Sequence, residues 1–385
     1  MTPRYQWLCT AHQQANRHAT WLLLIGLVAV GAWNWRLWQR DRDQADRARS
    51  RIPPLPKLSR TPKVSVLVAA WNEHHRIEAH LRSFLGLSYP SIELVLCAGG
   101  PDGTLEIARR YVSERVVVLE QQPGEGKQRS LARCLEHASG EIIYLTDADC
   151  IHTDQALMRL LAPLIEEGEH VATGGTCPLD EQMGKVLPRY LWASDTVAGL
   201  RSATYGRGLR GANTALTRQA LDRSGGMDFV APTGTDYQLA LRLLASGIAI
   251  RQVPTSVVPA EYGETLSVYR RRQSRWLRNL LIYGHRHGAR DDVLVTLKTV
   301  GVGTMMVLMP LAAVVGGRSV LVPWLLLVQH AASAKLRYVF FTARFSQQPV
   351  PLRLLLSIVP LTLIDFGVWA STLFDLLKTS RRYQW

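Results

Sequence analysis

Long apolar runs lie near both ends of this 385-residue chain, and they restrict the structures that it can adopt more than any other feature. The first extends over Ala19–Trp35, 17 residues with tryptophans at its edges. Near the C-terminus, residues 299–317 carry no charge, and residues 354–374 carry only Asp365. Because about 20 apolar residues cross a bilayer and tryptophan favours its interfaces, these runs predict membrane-spanning helices.

The number of spans depends on a third C-terminal run, residues 319–334, which is short. It crosses only if Lys335 and Arg337 extend their charged ends to the interface. The sequence therefore predicts one N-terminal and two or three C-terminal spans. A cleaved signal peptide is the alternative for the first run, because Ala29 and Gly31 are small, although the preceding segment is long and weakly basic for such a signal.

The distribution of arginine predicts the orientation in the membrane. Only Arg4 and Arg17 precede the first run, whereas six arginines follow it within residues 36–51. The positive-inside rule then places the central region in the cytoplasm, in an integral protein of the cell or inner membrane. Two basic segments leave the span count open. They are the tail with Lys378, Arg381 and Arg382, which four spans put outside, and the loop with Lys335, Arg337 and Arg344, which three spans put outside.

Composition excludes several protein classes. Hydrophobic residues make up 47% of the chain, which is too many for intrinsic disorder. The 5 cysteines are odd in number and contain no Cys-x-x-Cys pair, so neither a disulfide scaffold nor a structural zinc module is expected. The net charge of +14 suits a membrane surface, since no nucleic-acid-binding signature accompanies it, and we expect no nucleic-acid partner.

Five segments are predicted along the chain. They are an N-terminal transmembrane helix (residues 1–36), a charged and then proline-rich linker (37–62), an α/β domain (63–263), an amphipathic interfacial segment (264–290) and C-terminal transmembrane helices (291–385).

The α/β domain begins with short apolar runs that alternate with helical stretches. The predicted strands are Val64–Ala70, Ile92–Cys97, Val116–Glu120 and Ile142–Thr146, and the predicted helices between them are His75–Leu87, Gly103–Ser113 and Lys127–Ala138. Strands separated by single helices predict a parallel, Rossmann-like sheet. Ligands of such sheets bind at the carboxyl ends of the strands.

Polar residues follow the first and third strands at those ends. Asn72 and Glu73 come after the first strand, where they either cap the next helix or line a pocket for a base or ribose. The segment Pro123–Lys127 is rich in glycine but is not a Walker A motif, because Gln121 and Gln128 occupy two of its required positions. Lys127 is then either a diphosphate contact at a helix start or a solvated lysine.

Two carboxylates, Asp147 and Asp149, flank Ala148 at the end of the fourth strand. An Asp-x-Asp pair also caps helices, but burial after a strand is costly without a partner. Mg²⁺ or Mn²⁺ accepts one or two carboxylates together with substrate phosphates, so the pair indicates a divalent cation.

These motifs, together with later ones, resemble those of family 2 glycosyltransferases of the GT-A fold over residues 64–276, just over half of the chain. The matching segments are Ala70–Glu73, Pro101–Thr104, Gly126–Lys127, Asp147–Asp149, Gly234–Tyr237 and Arg272–Trp276. The last is similar to the family's (Gln/Arg)-x-x-Arg-Trp motif. It also lies in a basic amphipathic stretch typical of segments that bind anionic lipid.

The resemblance implies a membrane-bound, inverting glycosyltransferase with a nucleotide-sugar donor, a UDP-sugar being favoured. It implies a catalytic base at Asp236 and a cation, Mg²⁺ or Mn²⁺, on Asp149. The residues implied to bind the nucleotide-sugar are Asn72, Glu73, Lys127, Asp147, Arg272, Arg275 and Trp276, and those on the acceptor side are Gly211 and Asn213. With few spans, a lipid acceptor is expected before a glycan.

Two departures from the family pattern affect these expectations. Ala98 stands where the family usually has a nucleotide-binding aspartate, and Thr235 replaces the glutamate before the base. The alternatives are a processive polysaccharide synthase, similar to cellulose or hyaluronan synthases, and a catalytically silent membrane scaffold. Retention of Asp147, Asp149 and Asp236 argues against the scaffold.

Overall fold

The computed structural model describes residues 3–201, 204–231 and 233–377. The chain divides into two compact units, which we name by their content. The α/β unit comprises Ile52–Met183 and Asp195–Tyr262. The membrane-helix unit comprises the chain up to Arg51, the segment Gly184–Ser194 and the chain from Gly263 onward.

The strands are β1 (Val64–Trp71), β2 (Ile92–Gly99), β3 (Val116–Glu120), β4 (Ile142–Leu145), β5 (Val171–Pro178), β6 (Tyr205–Gly206), β7 (Thr214–Thr217) and β8 (Ile250–Ala260). The helices are α1 (Pro3–Ser50), α2 (Ile77–Leu85), α3 (Thr104–Arg109), α4 (Gly126–His137), α5 (Asp154–Glu166), α6 (Val186–Arg201), α7 (Arg218–Arg223), α8 (Thr235–Ala245), α9 (Leu266–Arg286), α10 (Arg290–Gly316), α11 (Leu321–Ser346) and α12 (Leu352–Leu377).

The described strands form one sheet in the order β3-β2-β1-β4-β7-β5-β8-β6. The first four are parallel, as the alternation of strands and helices predicts. Strand β1 (VSVLVAAW) is rich in valine and is buried on both faces, because helices cover both faces of such a sheet. Its residues contribute to two hydrophobic clusters, one with Val66 and Val68 and the other with Leu67.

The sheet becomes mixed beyond β4. Strand β7 runs antiparallel to both of its neighbours, β4 and β5, and β6 runs antiparallel to β8. The chain order reverses between β1 and β4, which are adjacent, while β2 and β3 lie beyond β1. Such a switch point opens a crevice at the carboxyl ends of the two strands. Asn72 follows β1 at this crevice, and Thr146 and Asp147 follow β4.

The N-terminal helix is longer than the sequence analysis predicts. The linker was expected from residue 37, but α1 continues through the charged segment to Ser50, and only residues 51–63 separate it from β1. This part of the linker prediction was wrong because residues 36–50 contain no proline or glycine to end the helix. The Arg47 guanidinium also donates to the Asp43 carbonyl oxygen at 3.2 Å, which supports this part of the helix.

Four helical segments among the described residues are long and apolar enough to cross a membrane: Asn16–Ser50, Arg290–Gly316, Arg318–Ser346 and Leu352–Leu376. Within the membrane-helix unit, α1 and α11 pair in the same direction. Gln329 donates to the Leu27 carbonyl, Phe340 contacts Trp38, and Arg344 pairs with Asp46 farther along. Two spans that run in the same direction must have an odd number of spans between them along the chain. Helix α10 is that intervening span, which agrees with three C-terminal spans, α10, α11 and α12. The basic tail from Lys378 lies outside the described residues.

The two cations at the end of the third C-terminal run are paired with carboxylates of neighbouring helices. Arg337 is buried and its Nε lies 3.1 Å from the Asp41 carboxylate of α1. Lys335 lies 3.0 Å from Asp365, a buried carboxylate of α12 that also accepts from Tyr190. Charges inside a helical bundle are paired because an isolated one is costly there, so these neighbouring helices neutralise the segment.

Candidate active site

Asn72 and Glu73 form the turn that follows β1. Asn72 has a positive φ of 61° and donates its backbone N–H to the Gly99 carbonyl at 3.2 Å. A Cβ at Gly100 would lie 2.3 Å from the Asn72 side-chain oxygen, so only glycine fits beside it. Helix α2 begins at Ile77 with no side-chain cap. Neither the Asn72 nor the Glu73 side chain therefore caps this helix.

Asp102 ties the loop after β2 to this turn. Its carboxylate accepts from the His74 backbone N–H at 3.0 Å and from the Thr104 hydroxyl at 2.6 Å. Thr104 in turn accepts from the Glu73 N–H at 2.8 Å. Burial opposes the charge on Asp102, but these hydrogen bonds lower its pKa below the ordinary value.

Ala98, at the position where the family usually has an aspartate, is a core residue in this structure. It lies on β2 with its side chain buried in a core cluster beside Leu96 and Ala70. A carboxylate at position 98 of this backbone would be buried in that cluster. The carboxylate that follows β2 in this chain is Asp102, which lies in the matching segment Pro101–Thr104 but received no predicted role. Its signal was the Asp-Gly-Thr sequence, typical of a turn before a helix.

Acidic side chains surround Glu73. Partial burial raises the pKa of Glu73 to about 7, and the nearby carboxylates of Asp149, Glu261, Asp147 and Asp102 contribute in that order. Like charges held close together disfavour each other's ionisation, and a bound cation reverses this effect. The carboxylates around Glu73 therefore oppose each other's ionisation in the absence of a bound cation.

Lys127 lies among the carboxylates at the N-terminus of α4. Its ammonium contacts the Asp147 carboxylate. Burial opposes the charge, but Asp147, Asp236 and Asp149 together raise the pKa of Lys127 above its ordinary value. The structure thus joins residues of α4, the β4 end and α8, as the motif order predicts. Lys127 is consequently not a solvated loop lysine.

Asp236 occupies the first turn of α8, after Gly234 in the left-handed conformation. Its Oδ1 accepts from the Tyr237 N–H at 2.9 Å. Gly211 lies against it, because a Cβ there would be 3.6 Å from the Asp236 Oδ2 and 3.6 Å from the Lys127 ammonium. Asp236, Gly211 and Lys127 therefore border the same space.

Asn213 does not face that space, and its predicted place on the acceptor side was wrong. Its side chain is fully buried. The Oδ1 accepts from the Tyr144 hydroxyl at 3.1 Å, and the Nδ2 donates to the carbonyls of Gly175 and Ser256 at 3.0 and 3.1 Å. Asn213 satisfies polar groups between β4, β5 and β8, and it thereby supports the loop that carries Gly211.

A buried histidine pair supports the turn that carries Asp149. His80 Nδ1 donates to the Cys150 carbonyl at 2.8 Å, and burial lowers the pKa of His80 to about 4, which keeps the ring neutral. The His152 ring lies 4.6 Å from it. The sequence analysis missed both residues. The spacing of Ile77, His80, Leu81 and Phe84 could have placed His80 on the buried face of α2.

Arg272, Arg275 and Trp276 lie on α9, in the membrane-helix unit. Arg272 and Trp276 are exposed one helical turn apart, and the indole is 57% exposed. Ser274, Leu277 and Arg278 are buried, so the helix is amphipathic.

The described residues contain no group of three or more His, Cys, Asp or Glu side chains arranged to hold a metal by themselves. A cation at this site would be held by fewer protein carboxylates together with oxygens of its substrate. This is the arrangement that Mg²⁺ commonly adopts with phosphate-bearing ligands.

Comparisons with known proteins agree on the family. Residues 62–279, more than half of the chain, match a family described as "Glycosyltransferase like family 2". The probable glycosyltransferase YdaM of Bacillus subtilis is 27% identical over 57% of this chain and 56% of its own length. The glucosyltransferase WfaP of Escherichia coli, named for UDP-Glc and alpha-D-GlcNAc-diphosphoundecaprenol, is 25% identical over 52% of this chain and 76% of its own.

Among solved structures, the mannosyltransferase PcManGT of Pyrobaculum calidifontis, in complex with GDP-Man and Mn²⁺, has a similar fold. Its TM-score is 0.54 at 20% identity, with 92% of this chain and 99% of that chain covered. The chain spans about half the length, or less, of the first curated relatives that it matches.

Proposed function

The chain belongs to the glycosyltransferase like family 2, and on this premise we propose that it is a membrane-bound inverting glycosyltransferase. It transfers a sugar from a nucleotide-sugar to an acceptor hydroxyl. The observation that carries the proposal is the meeting of Lys127, Asp147 and Asp236 with Gly211 at the switch point of the sheet. This reaction needs a base beside a space that the acceptor can occupy, next to groups suited to binding a diphosphate.

The donor side is assigned to Asn72, Glu73, Lys127 and Asp147. Lys127 contacts the donor diphosphate, and Asp147 orients the donor ribose or sugar. Asn72 and Glu73 line the nucleotide part of the crevice. Arg272, Arg275 and Trp276 are assigned to the donor through their match to the family motif. A UDP-sugar is the favoured donor, with support from the UDP-Glc in the name of WfaP.

Asp149 is the proposed ligand of a divalent cation, Mg²⁺ or Mn²⁺. The cluster of carboxylates that raises the pKa of Glu73 fits such a group, because hard oxygen ligands and excess negative charge favour it. When bound, the cation supplies charge neutralisation for the departing diphosphate.

Asp236 is the proposed general base. It removes the proton from the acceptor hydroxyl as the oxygen attacks the anomeric carbon, while the bond from that carbon to the diphosphate oxygen breaks on the opposite face. The configuration at the anomeric carbon is therefore inverted. Gly211 leaves space for the acceptor beside the Asp236 carboxylate, since no side chain occupies that position.

A lipid acceptor, with the α/β unit in the cytoplasm, completes the proposal. The four apolar helices and the lipid-linked acceptor in the name of WfaP support a lipid acceptor. The cytoplasmic position of the α/β unit is supported by the parallel pairing of α1 and α11, which puts their charged ends on the same side of a membrane. Nine Lys and Arg residues then lie on that side, at positions 36, 40, 42, 47, 49, 51, 335, 337 and 344.

The test is transfer by membranes that contain the full-length protein, with a panel of labelled UDP- and GDP-sugars. Products are separated into lipid-soluble and polymeric fractions, with and without EDTA. We expect one sugar added to a lipid with one donor, loss of transfer in EDTA, and recovery with Mg²⁺ or Mn²⁺. A polymeric product would replace this proposal with processive synthesis. Full transfer in EDTA would contradict the cation assignment, and absence of transfer with every donor would contradict the activity.

A further inference from the structure

A cavity of about 400 Å³ lies between α1 and α11 in the membrane-helix unit. Sites for small ligands commonly enclose about 300–1,000 Å³. Trp38 and Arg42 line it from α1, and Arg337, Phe340 and Arg344 line it from α11. None of these residues belongs to the proposed sugar-transfer site.

The cavity lies where the two helices pass from apolar to charged sequence. On α1 the uncharged run ends at Trp35, and on α11 it ends just before Lys335. The tilted rings of Trp38 and Phe340, with centroids 4.7 Å apart, form an apolar side of the cavity. Tryptophan at such a boundary is typical of the depth at which lipid headgroups meet acyl chains. The lining thus combines apolar and cationic groups at headgroup depth.

A buried arginine fixes the cationic side of the cavity. Arg337 is 7% exposed, and it is held by the Asp41 carboxylate at 3.1 Å and by the Asn34 side-chain oxygen. A guanidinium held in this way loses little conformational freedom when it binds an oxyanion. Arg337 is therefore a preorganised member of the lining.

The other two arginines complete a positive lining. The side chains of Arg42 and Arg344 are 55% and 51% exposed. Asp41 is the carboxylate among the lining residues, whereas Asp43 and Asp46, which pair with Arg42 at 3.4 Å and with Arg344 at 2.7 Å, lie outside the lining. Both outer pairs are exposed, and exposed ion pairs of this kind contribute little, so Arg42 and Arg344 can exchange these partners for a bound anion. Three guanidiniums against one lining carboxylate favour an anion, and guanidinium matches the geometry of phosphate oxygens.

We propose that this cavity binds the phosphate group of an anionic phospholipid at the cytoplasmic surface of the membrane. Basic pockets between transmembrane helices on that side suit such headgroups. Arg42, Arg337 and Arg344 hold the phosphate oxygens, and Trp38 and Phe340 contact the glycerol and the first acyl carbons. The proposal depends on the membrane insertion and orientation proposed above and is independent of sugar transfer.

The test measures binding to the purified full-length protein in detergent. The probes are dioctanoylphosphatidylglycerol, dioctanoylphosphatidylcholine and inorganic phosphate. The first variant is Arg42→Gln with Arg344→Gln, which spares the buried Arg337. The control is Arg36→Gln with Arg40→Gln, which removes the same charge from exposed positions of α1 outside the cavity. The second variant, Asp46→Asn, breaks the same ion pair as Arg344→Gln but releases the arginine.

We expect phosphatidylglycerol to bind more tightly than either other probe. The double cavity variant weakens this binding at least about tenfold, and the control changes it by less than about threefold. Asp46→Asn tightens it, which mere loss of helix pairing would not do. Equal weakening by both double variants would overturn the proposal in favour of diffuse attraction. Inorganic phosphate or phosphatidylcholine binding as tightly as phosphatidylglycerol, or weaker binding in Asp46→Asn, would overturn it as well.

Discussion

The raised pKa of Glu73 predicts that the α/β unit loses stability as the pH rises from about 5 to 8. A carboxyl group whose pKa is raised on folding favours the folded state in its protonated form. That advantage is complete below its ordinary pKa of 4.5 and is lost as the pH passes the folded value of about 7. A difference of between two and three pKa units corresponds to roughly 3 kcal/mol. Glu73→Gln, which cannot ionise, removes this pH dependence.

The assay is thermal unfolding of the purified full-length protein and of Glu73→Gln without divalent cation, at pH 5 and pH 8. We expect the variant to gain roughly 6–12 °C relative to the wild type at pH 8, and much less at pH 5. Glu106→Gln is the matched control, because Glu106 is exposed on α3. Equal pH dependence in the wild type and Glu73→Gln would refute the assignment of the Glu73 carboxyl, partly buried and beside other carboxylates, as the cause.

Three further predictions concern other parts of the chain. Asn213→Ala leaves the buried Tyr144 hydroxyl without its acceptor, so we expect roughly 2–4 kcal/mol lower stability by denaturant unfolding, whereas an acceptor-binding role alone would leave stability unchanged. Asp365→Ala leaves Lys335 unpaired, so we expect roughly 3–5 kcal/mol lower stability, and a variant as stable as the wild type in detergent would contradict the buried pairing. A reporter fused after Arg51 is expected to read cytoplasmic, and a signal from the other side of the membrane would reverse the proposed orientation.

The parallel half of the sheet was predictable because its strands are apolar runs separated by single amphipathic helices. β3 matches its predicted bounds, and the bounds of β1, β2 and β4 differ from prediction by one or two residues. Strand β7 was not predictable in this way, because Thr214–Thr217 is short and its direction depends on pairing with both β4 and β5. Long-range pairing is not encoded in local periodicity.

The positions of candidate site residues in the fold were predictable where the motif fixes a backbone position as well as a residue type. Lys127 and Asp147 are examples, since each follows a glycine-rich turn or a strand end. Asn213 shows the limit, because its residue type fits both a ligand contact and a buried network, and only the partners decide between them. Ala98 shows the same limit, since its orientation depends on the register of β2 with β1.

The extension of α1 shows how tertiary contacts add to local signals. The sequence marks residues 36–51 as charged, which is compatible with either a linker or a helix. Arg337 and Arg344 of α11 pair with Asp41 and Asp46, so the neighbouring helix provides partners for these carboxylates. Such partners, more than 290 residues away along the chain, are not evident from the local sequence.

The proposed role of Asp236 as the base has one structural alternative. As an acidic residue in the first turn of α8, it also interacts favourably with the helix dipole, a contribution of about 0.3–1 kcal/mol. Asn in its place keeps the oxygen that accepts from the Tyr237 N–H but cannot take a proton. The two roles therefore predict different rates for the same folded variant.

The most direct test of the account is the turnover of Asp236→Asn in membranes, measured with the donor that the wild type uses. Asp222→Asn, an exposed acid on α7, is the control, and nucleotide binding is measured in parallel. We predict that Asp236→Asn inserts into the membrane, binds nucleotide as the wild type does, and loses about 10²–10⁴-fold in turnover. Near-normal turnover by the inserted, nucleotide-binding variant would contradict the proposed mechanism.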